Sequence, residues 1–284
     1  MKSRNATVLD AVRLSDGMRI VLRVASTWSD EVPILRRLNR LSNDSRNHAV
    51  PVLDVIPLPD NDEQVIIVLP LLRDYYDPPF SQLDQVVQAL TQFFETMQLL
   101  HENNIAHRDF CTYNLMLDPS ELFPYGYHFS SPRVTSDGLT YGLEHRNRAD
   151  VGRVRYFVID FGLATRLPSK DSKVTGVFGQ DRTVPELSWE KPYDPFKVDI
   201  YQFGRVIMRD MVSVYSGLDF LRPLAEAMLT KDPETRPDIA EAMRLFNAAV
   251  NDLSPGELQT SIHVVQYPAH LMFTPRPRSR GCCG

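Results

Sequence analysis

The strongest pattern in the chain lies at 83–101, where Leu83, Val86, Val87, Leu90, Phe93, Phe94, Met97 and Leu100 recur at steps of three and four. That period puts them on one face of an α-helix, and their size predicts a helix buried in a core. Upstream the pattern is that of strands. Residues 8–26 hold two runs rich in β-branched residues flanking Ser-Asp-Gly, a turn signal, and predict a hairpin. Stretches 49–58 and 63–72 predict two more strands about the acidic turn Pro-Asp-Asn-Asp-Glu. Between these pairs Ser29 and Asp30 offer helix caps, Pro33 suits a first turn, and Ile34, Leu35 and Leu38 fall at helical spacing.

Beyond the long helix come short strands and a polar, aromatic stretch at 118–153. Residues 154–160, Val-Arg-Tyr-Phe-Val-Ile-Asp, predict a nearly continuous apolar strand that ends on an acid. Residues 197–250 read as mostly helical and 251–284 as a C-terminal tail, whose last stretch at 274–284, Thr-Pro-Arg-Pro-Arg-Ser-Arg-Gly-Cys-Cys-Gly, has no means of building a core. The expected fold is α+β and two-lobed. A small strand-rich part at 1–72 would meet a larger helical part at 73–250 across a cleft, and ligands favour such junctions.

Composition narrows the class. With 43% apolar and 24% charged residues in 284, the chain is expected to fold as a globular protein. A net charge of -5 supplies no general attraction for nucleic acid, so no nucleic-acid partner is expected. The first ten residues lack an apolar signal core, and the longest apolar run, at 65–72, is too short to span a bilayer. An intracellular, cytoplasmic protein is expected. Its three cysteines, Cys111, Cys282 and Cys283, define no disulfide framework.

The candidate chemistry begins at 107–114, His-Arg-Asp-Phe-Cys-Thr-Tyr-Asn. An acid five residues before an amide, behind a His-Arg pair, is how a phosphoryl-transfer loop places a hydroxyl and a metal together. Asp-Phe-Gly at 160–162, Val-Pro-Glu at 184–186, Asp-Ile-Tyr-Gln-Phe-Gly at 199–204 and Asp-Pro-Glu-Thr-Arg-Pro at 232–237 follow in order. Alone, Asp109 or Asn114 is a turn former and Asp160 a cap. Together the motifs resemble the eukaryotic protein kinase catalytic domain, over roughly residues 6–246.

The resemblance implies ATP and Mg²⁺ as cofactors and phosphoryl transfer to serine or threonine of a protein substrate. It makes Asp109 the catalytic base and Asn114 and Asp160 the Mg²⁺ ligands. Arg23 would stand where the family carries its nucleotide-contacting lysine, paired with Glu31. Leu69 would be the gatekeeper, and Pro70 and Leu72 would face adenine through a carbonyl and an N–H. Structural roles fall to His107 and Arg108 in the loop, to Asp199 holding the loop backbone, and to an ion pair between Glu186 and Arg236.

Several positions depart from the family. Arg23 is longer and flatter than lysine. The glycine-rich loop is missing, with Ala6 at its last glycine. Cys111 replaces a lysine that would neutralise the transferred phosphoryl, and Gly179 replaces a threonine. Asp109 and Asp160 stand 51 positions apart, more than in the usual family pattern, so 118–153 is expected to be an insert forming a surface excursion. These departures together resemble a lineage-expanded group of fungal kinase-like proteins. They leave open a pseudokinase acting as a binding or scaffold module. Arg108 could pair with a phosphate added to the segment 160–186, which holds Thr165, Ser169, Ser172, Thr175 and Thr183. At the C-terminus, Arg276, Arg278 and Arg280 precede Cys282 and Cys283, an arrangement that suits lipid attachment and peripheral membrane association, against the plainer reading of an unmodified tail.

Overall fold

A computed structural model describes residues 8–266. Ala6, the tail arginines and Cys282 and Cys283 lie outside the described residues.

The chain opens with the expected hairpin, β1 (Val8–Val12) and β2 (Arg19–Ser26), turned at Gly17 with φ 74°. Helix α1 (Glu31–Arg40) follows and buries Glu31, Ile34, Leu35 and Leu38. Asp30 stands at its cap position, but its carboxylate accepts the backbone N–H of Arg166 (3.4 Å) instead of capping the helix. Next come β3 (Asp54–Leu58) and β4 (Asn61–Pro70), joined through Asp60 in the left-handed region. The four strands form one antiparallel sheet in the order β1-β2-β4-β3, with Arg23 opposite Ile67 and Val21 opposite Leu69.

After β5 (Arg73–Asp74) the predicted helix appears as α2 (Leu83–Glu102). Phe93, Phe94, Met97 and Leu100 on it are fully buried. Short strands β6 (Ile105–Ala106), β7 (Leu115–Leu117), β8 (Tyr156–Val158), β9 (Thr165–Arg166), β10 (Val174–Gly176) and β11 (Ser188–Tyr193) carry the chain across this helix. Helix α3 (Pro195–Val206) starts at Asp194, whose side chain accepts the N–H groups of Phe196 and Lys197, with proline in the first turn. A π-helical turn (Ile207–Val212) continues it, followed by α4 (Arg222–Met228), α5 (Ile239–Asn251) and α6 (Pro255–Leu258). One apolar core runs from Ala25 and Ile67 in the sheet through α2 to Phe246 on α5.

One expectation needs correction. The stretch 118–153 is no mere surface excursion. Leu122, Phe123 and Tyr127 are buried in it, and the Arg148 guanidinium, 3% exposed, donates to the carbonyls of Tyr75 (2.7 Å) and Pro78 (2.6 Å) and to the Tyr156 hydroxyl (2.6 Å). Buried Arg73 stacks on Phe123 and Tyr127 and donates to the Pro132 carbonyl, which ties the insert to the strand after β4. The tail expected from 251 is ordered over its described part, 251–266. Ser254 and Glu257 cap α6 reciprocally, Ile262 is buried, and its N–H donates to the Ser81 carbonyl.

Candidate active site

The loop 107–114 is held from below by α3. Asp199, fully buried, accepts the backbone N–H groups of His107 (2.8 Å) and Arg108 (2.7 Å) and the Nε2–H of His101 (3.0 Å). Gln202, one turn on, accepts from the Phe110 N–H (2.8 Å) and donates to the Arg108 carbonyl (3.3 Å). These bonds allow Arg108 its left-handed backbone, φ 65°. His107 packs edge-on against Phe110 and Phe161, donates from Nε2 to the Ile159 carbonyl and accepts the Asp109 N–H at Nδ1. That pair of bonds assigns its tautomer and makes it a packed strut.

Asp109 is 6% exposed, with both carboxylate oxygens engaged. The amide of Asn114 donates to Asp109 Oδ2 (3.0 Å) and to its backbone carbonyl (2.8 Å), while the Gln180 N–H donates to Oδ1 (2.8 Å). Each oxygen has a second lone pair for an incoming hydroxyl. Asp160 has φ 60°, a backbone tolerated by aspartate, and caps the next turn through Gly162 (3.4 Å). Its neighbour Ile159 donates to the Asn114 carbonyl (2.9 Å), which brings the two loops side by side.

Arg23 on β2 forms an ion pair with Glu31 of α1 and reaches Asp160 Oδ1 at 3.8 Å. Burial pulls the Arg23 pKa down and the Asp160 charge pulls it back. Leu69 is buried, Pro70 ends β4, and the carbonyl of Leu72 accepts the Tyr127 hydroxyl (2.8 Å). Remote from this cluster, Arg236 donates twice to Glu186 (2.5 and 3.0 Å) and to the carbonyls of Lys197 and Thr230. Thus Arg23, Glu31 and Asp160 form one cluster and Asp109 with Asn114 another beside it, while Glu186 with Arg236 braces the helices.

Some participants carry no signal in their own motif. Gly179 sits at φ 87°, and a Cβ there would stand 3.0 Å from the Arg108 carbonyl and 3.1 Å from Asp109 Oδ1. Beneath the loop, Thr112 donates to the buried carboxylate of Asp210 and accepts from Arg209 (3.2 Å), both on the π-helical turn. Cys111 is buried, and burial together with the Asp109 charge pushes its thiol up to about 12. It is neutral at physiological pH. Arg108 donates to the Thr165 hydroxyl (3.1 Å) and the Thr175 carbonyl (3.5 Å). Among the described residues no three His, Cys, Asp or Glu side chains converge as a metal site, and no helix is long and apolar enough to cross a membrane.

No family model matches the chain. It is 23% identical over 209 residues to the serine/threonine-protein kinase STY17 of Arabidopsis thaliana, an alignment covering 64% of this chain and 30% of that protein. Over 146 residues it is 30% identical to the serine/threonine-protein kinase ATG1 of Pyricularia oryzae, covering 50% of this chain and 14% of the relative. A light-sensor protein kinase of Ceratodon purpureus is 28% identical over 151 residues, 47% of this chain and 10% of its own. The chain spans less than a third of the length of each. These similarities support a protein kinase-like domain.

Proposed function

We propose that the chain is a two-lobed protein kinase-like domain that transfers the γ-phosphoryl group of ATP to serine or threonine of a protein. Residues 1–72 would form the smaller lobe and hinge and 73–250 the larger, carrying the insert at 118–153. The observation that carries the reading is the meeting of Arg23 with both Glu31 and Asp160 beside the bonded pair Asp109 and Asn114.

In this reading the acceptor hydroxyl donates to the Asp109 carboxylate, which takes its proton as the new O–P bond forms and the bond to ADP breaks. The donor set suits a hard cation. Asn114 gives its amide N–H to Asp109, leaving its oxygen for the metal, and Asp160 adds a half-exposed carboxylate. Mg²⁺ held there would neutralise the phosphate charge. Arg23, fixed by Glu31, would contact the phosphates, and Pro70 and Leu72 would meet adenine from the strand end. An intracellular, cytoplasmic site of action and a protein substrate belong to this reading, with Cys282 and Cys283 in an unmodified tail.

A second reading, a pseudokinase that binds partners, is favoured by Cys111, a buried neutral thiol where a cation would be needed, and by an arginine rather than a lysine at position 23. A radiolabelled-ATP assay on the full chain separates them. The enzyme loses incorporation in Asp109→Asn and gains it in Arg23→Lys. Incorporation that survives Asp109→Asn, or none in any form, overturns the enzymatic reading.

A further inference from the structure

β4 ends at Pro70 and β5 begins at Arg73, so Leu71 and Leu72 belong to neither strand. The groups that hold this short crossing come from two distant parts of the chain. The Leu71 N–H donates to the carbonyl of Arg19 on β2 (3.2 Å), and the Leu72 carbonyl accepts the hydroxyl of Tyr127 from the insert (2.8 Å). The Arg19 guanidinium in turn donates to the Tyr127 carbonyl. Three bonds thus close a ring through β2, the crossing and the insert.

Tyr127 is itself fixed. It is buried, and the Arg73 guanidinium lies over its ring (4.5 Å to the centroid) and over that of Phe123 (4.1 Å). Arg73 is held there by bonds to the Pro132 carbonyl (2.9 Å) and the Asp77 carboxylate (2.6 Å). Burial pushes the Tyr127 pKa up, so its hydroxyl keeps its proton and remains a donor at neutral pH.

A trans peptide unit is a rigid plane whose C=O and N–H point opposite ways. The unit joining 70 and 71 carries the Pro70 carbonyl and the Leu71 N–H, so anchoring that N–H on Arg19 turns the Pro70 carbonyl to the other edge. The unit joining 72 and 73 carries the Leu72 carbonyl, which Tyr127 holds. Between them lies the unit that carries the Leu72 N–H, with an anchored plane on either side. We propose that Tyr127 is a positioning residue for the nucleotide base, fixing the Leu72 carbonyl so that the Leu72 N–H donates to the ring nitrogen beside the adenine amino group. This rests on the reading of Pro70 and Leu72 as the groups that meet adenine. Tyr127 acts through Leu72 and does not itself contact the base, and the insert becomes part of the nucleotide site.

The test is calorimetric titration of the purified full chain with ATP and with 1-deaza-ATP, both with Mg²⁺. In the second ligand C–H replaces the ring nitrogen that the Leu72 N–H would meet. Wild type should bind ATP about fivefold more tightly than the analogue, roughly the worth of one neutral hydrogen bond. Tyr127→Phe keeps the ring beside Arg73 and removes the hydroxyl alone. It should weaken ATP about fivefold and leave the analogue unchanged, so that the gap between the ligands closes. Arg19→Met, which removes the bond to the Tyr127 carbonyl, should narrow the same gap, and circular dichroism checks that both variants are folded. Equal weakening of the two ligands, the mark of a general loosening, overturns the proposal, and so does an unchanged gap in both folded variants. In those cases ATP still binds wild type and the reading of Pro70 and Leu72 stands. Equal affinity of wild type for the two ligands, or no binding of ATP, overturns that reading and the role of Tyr127 with it.

Discussion

The Oδ1 of Asp109 accepts the backbone N–H of Gln180 at 2.8 Å, an approach made possible because the residue before Gln180 is glycine. At φ 87°, with the Arg108 carbonyl 3.0 Å from where a Cβ would stand, any side chain at 179 is strained and presses on the loop. Gly179→Ala is therefore expected to push the segment off the carboxylate. A displacement of about 1 Å at such a site costs roughly a hundredfold in rate, while the left-handed strain itself costs about 1–3 kcal/mol. Phosphotransfer should fall far more than thermal stability, and full activity in Gly179→Ala would contradict the role given to this contact.

The Arg236 side chain is fully buried and Glu186 nearly so. Removing one member of such a pair strands the other charge and costs about 3–5 kcal/mol. Since each kcal/mol moves the midpoint by roughly 2–4 °C in a domain of this size, Arg236→Ala should lower it by some 6–20 °C. Calorimetry on the two proteins decides, and coincident transitions would show that the pair adds nothing.

His48 bonds to Glu95 (3.0 Å) and ties the segment after α1 to α2. Burial lowers its pKa from 6.5, with Glu95 opposing the shift. The unfolded chain then binds the proton more readily than the folded one, so the contribution of His48 is complete above pH 6.5 and is lost as pH falls through the lowered value. Wild type should lose more stability than His48→Gln between neutral and mildly acidic pH. Equal losses, measured as urea midpoints, would exclude this linkage.

Much of the frame was legible. The α2 period needed only its apolar residues, and both hairpins announced themselves through β-branched runs around turn residues. The burial of the insert leaves no local trace in the sequence because what anchors it is long-range: Arg148 reaches Tyr75 and Pro78, and Tyr127 reaches Leu72. The short helix at 255–258 is legible in Ser254-Pro-Gly-Glu257, which spells a capping box. Within the candidate site, the loop residues followed from the motifs, whereas Gln180 contributes a backbone N–H, a group every non-proline residue has. The threonine missing at 179 read as a loss, yet a glycine there is what the close approach requires.

The most direct measurement of the central claim, a nucleotide site loaded through Asp160, is a thermal-shift titration with ATP, with and without Mg²⁺, on wild type and Asp160→Asn. Ligand at about a hundred times its dissociation constant stabilises the folded chain by about 2.7 kcal/mol, which moves the midpoint by roughly 5–11 °C at the scale given above. The account predicts a Mg²⁺-dependent upward shift in wild type that disappears in Asp160→Asn. No shift at millimolar ATP, or an equal shift in both proteins, would contradict it.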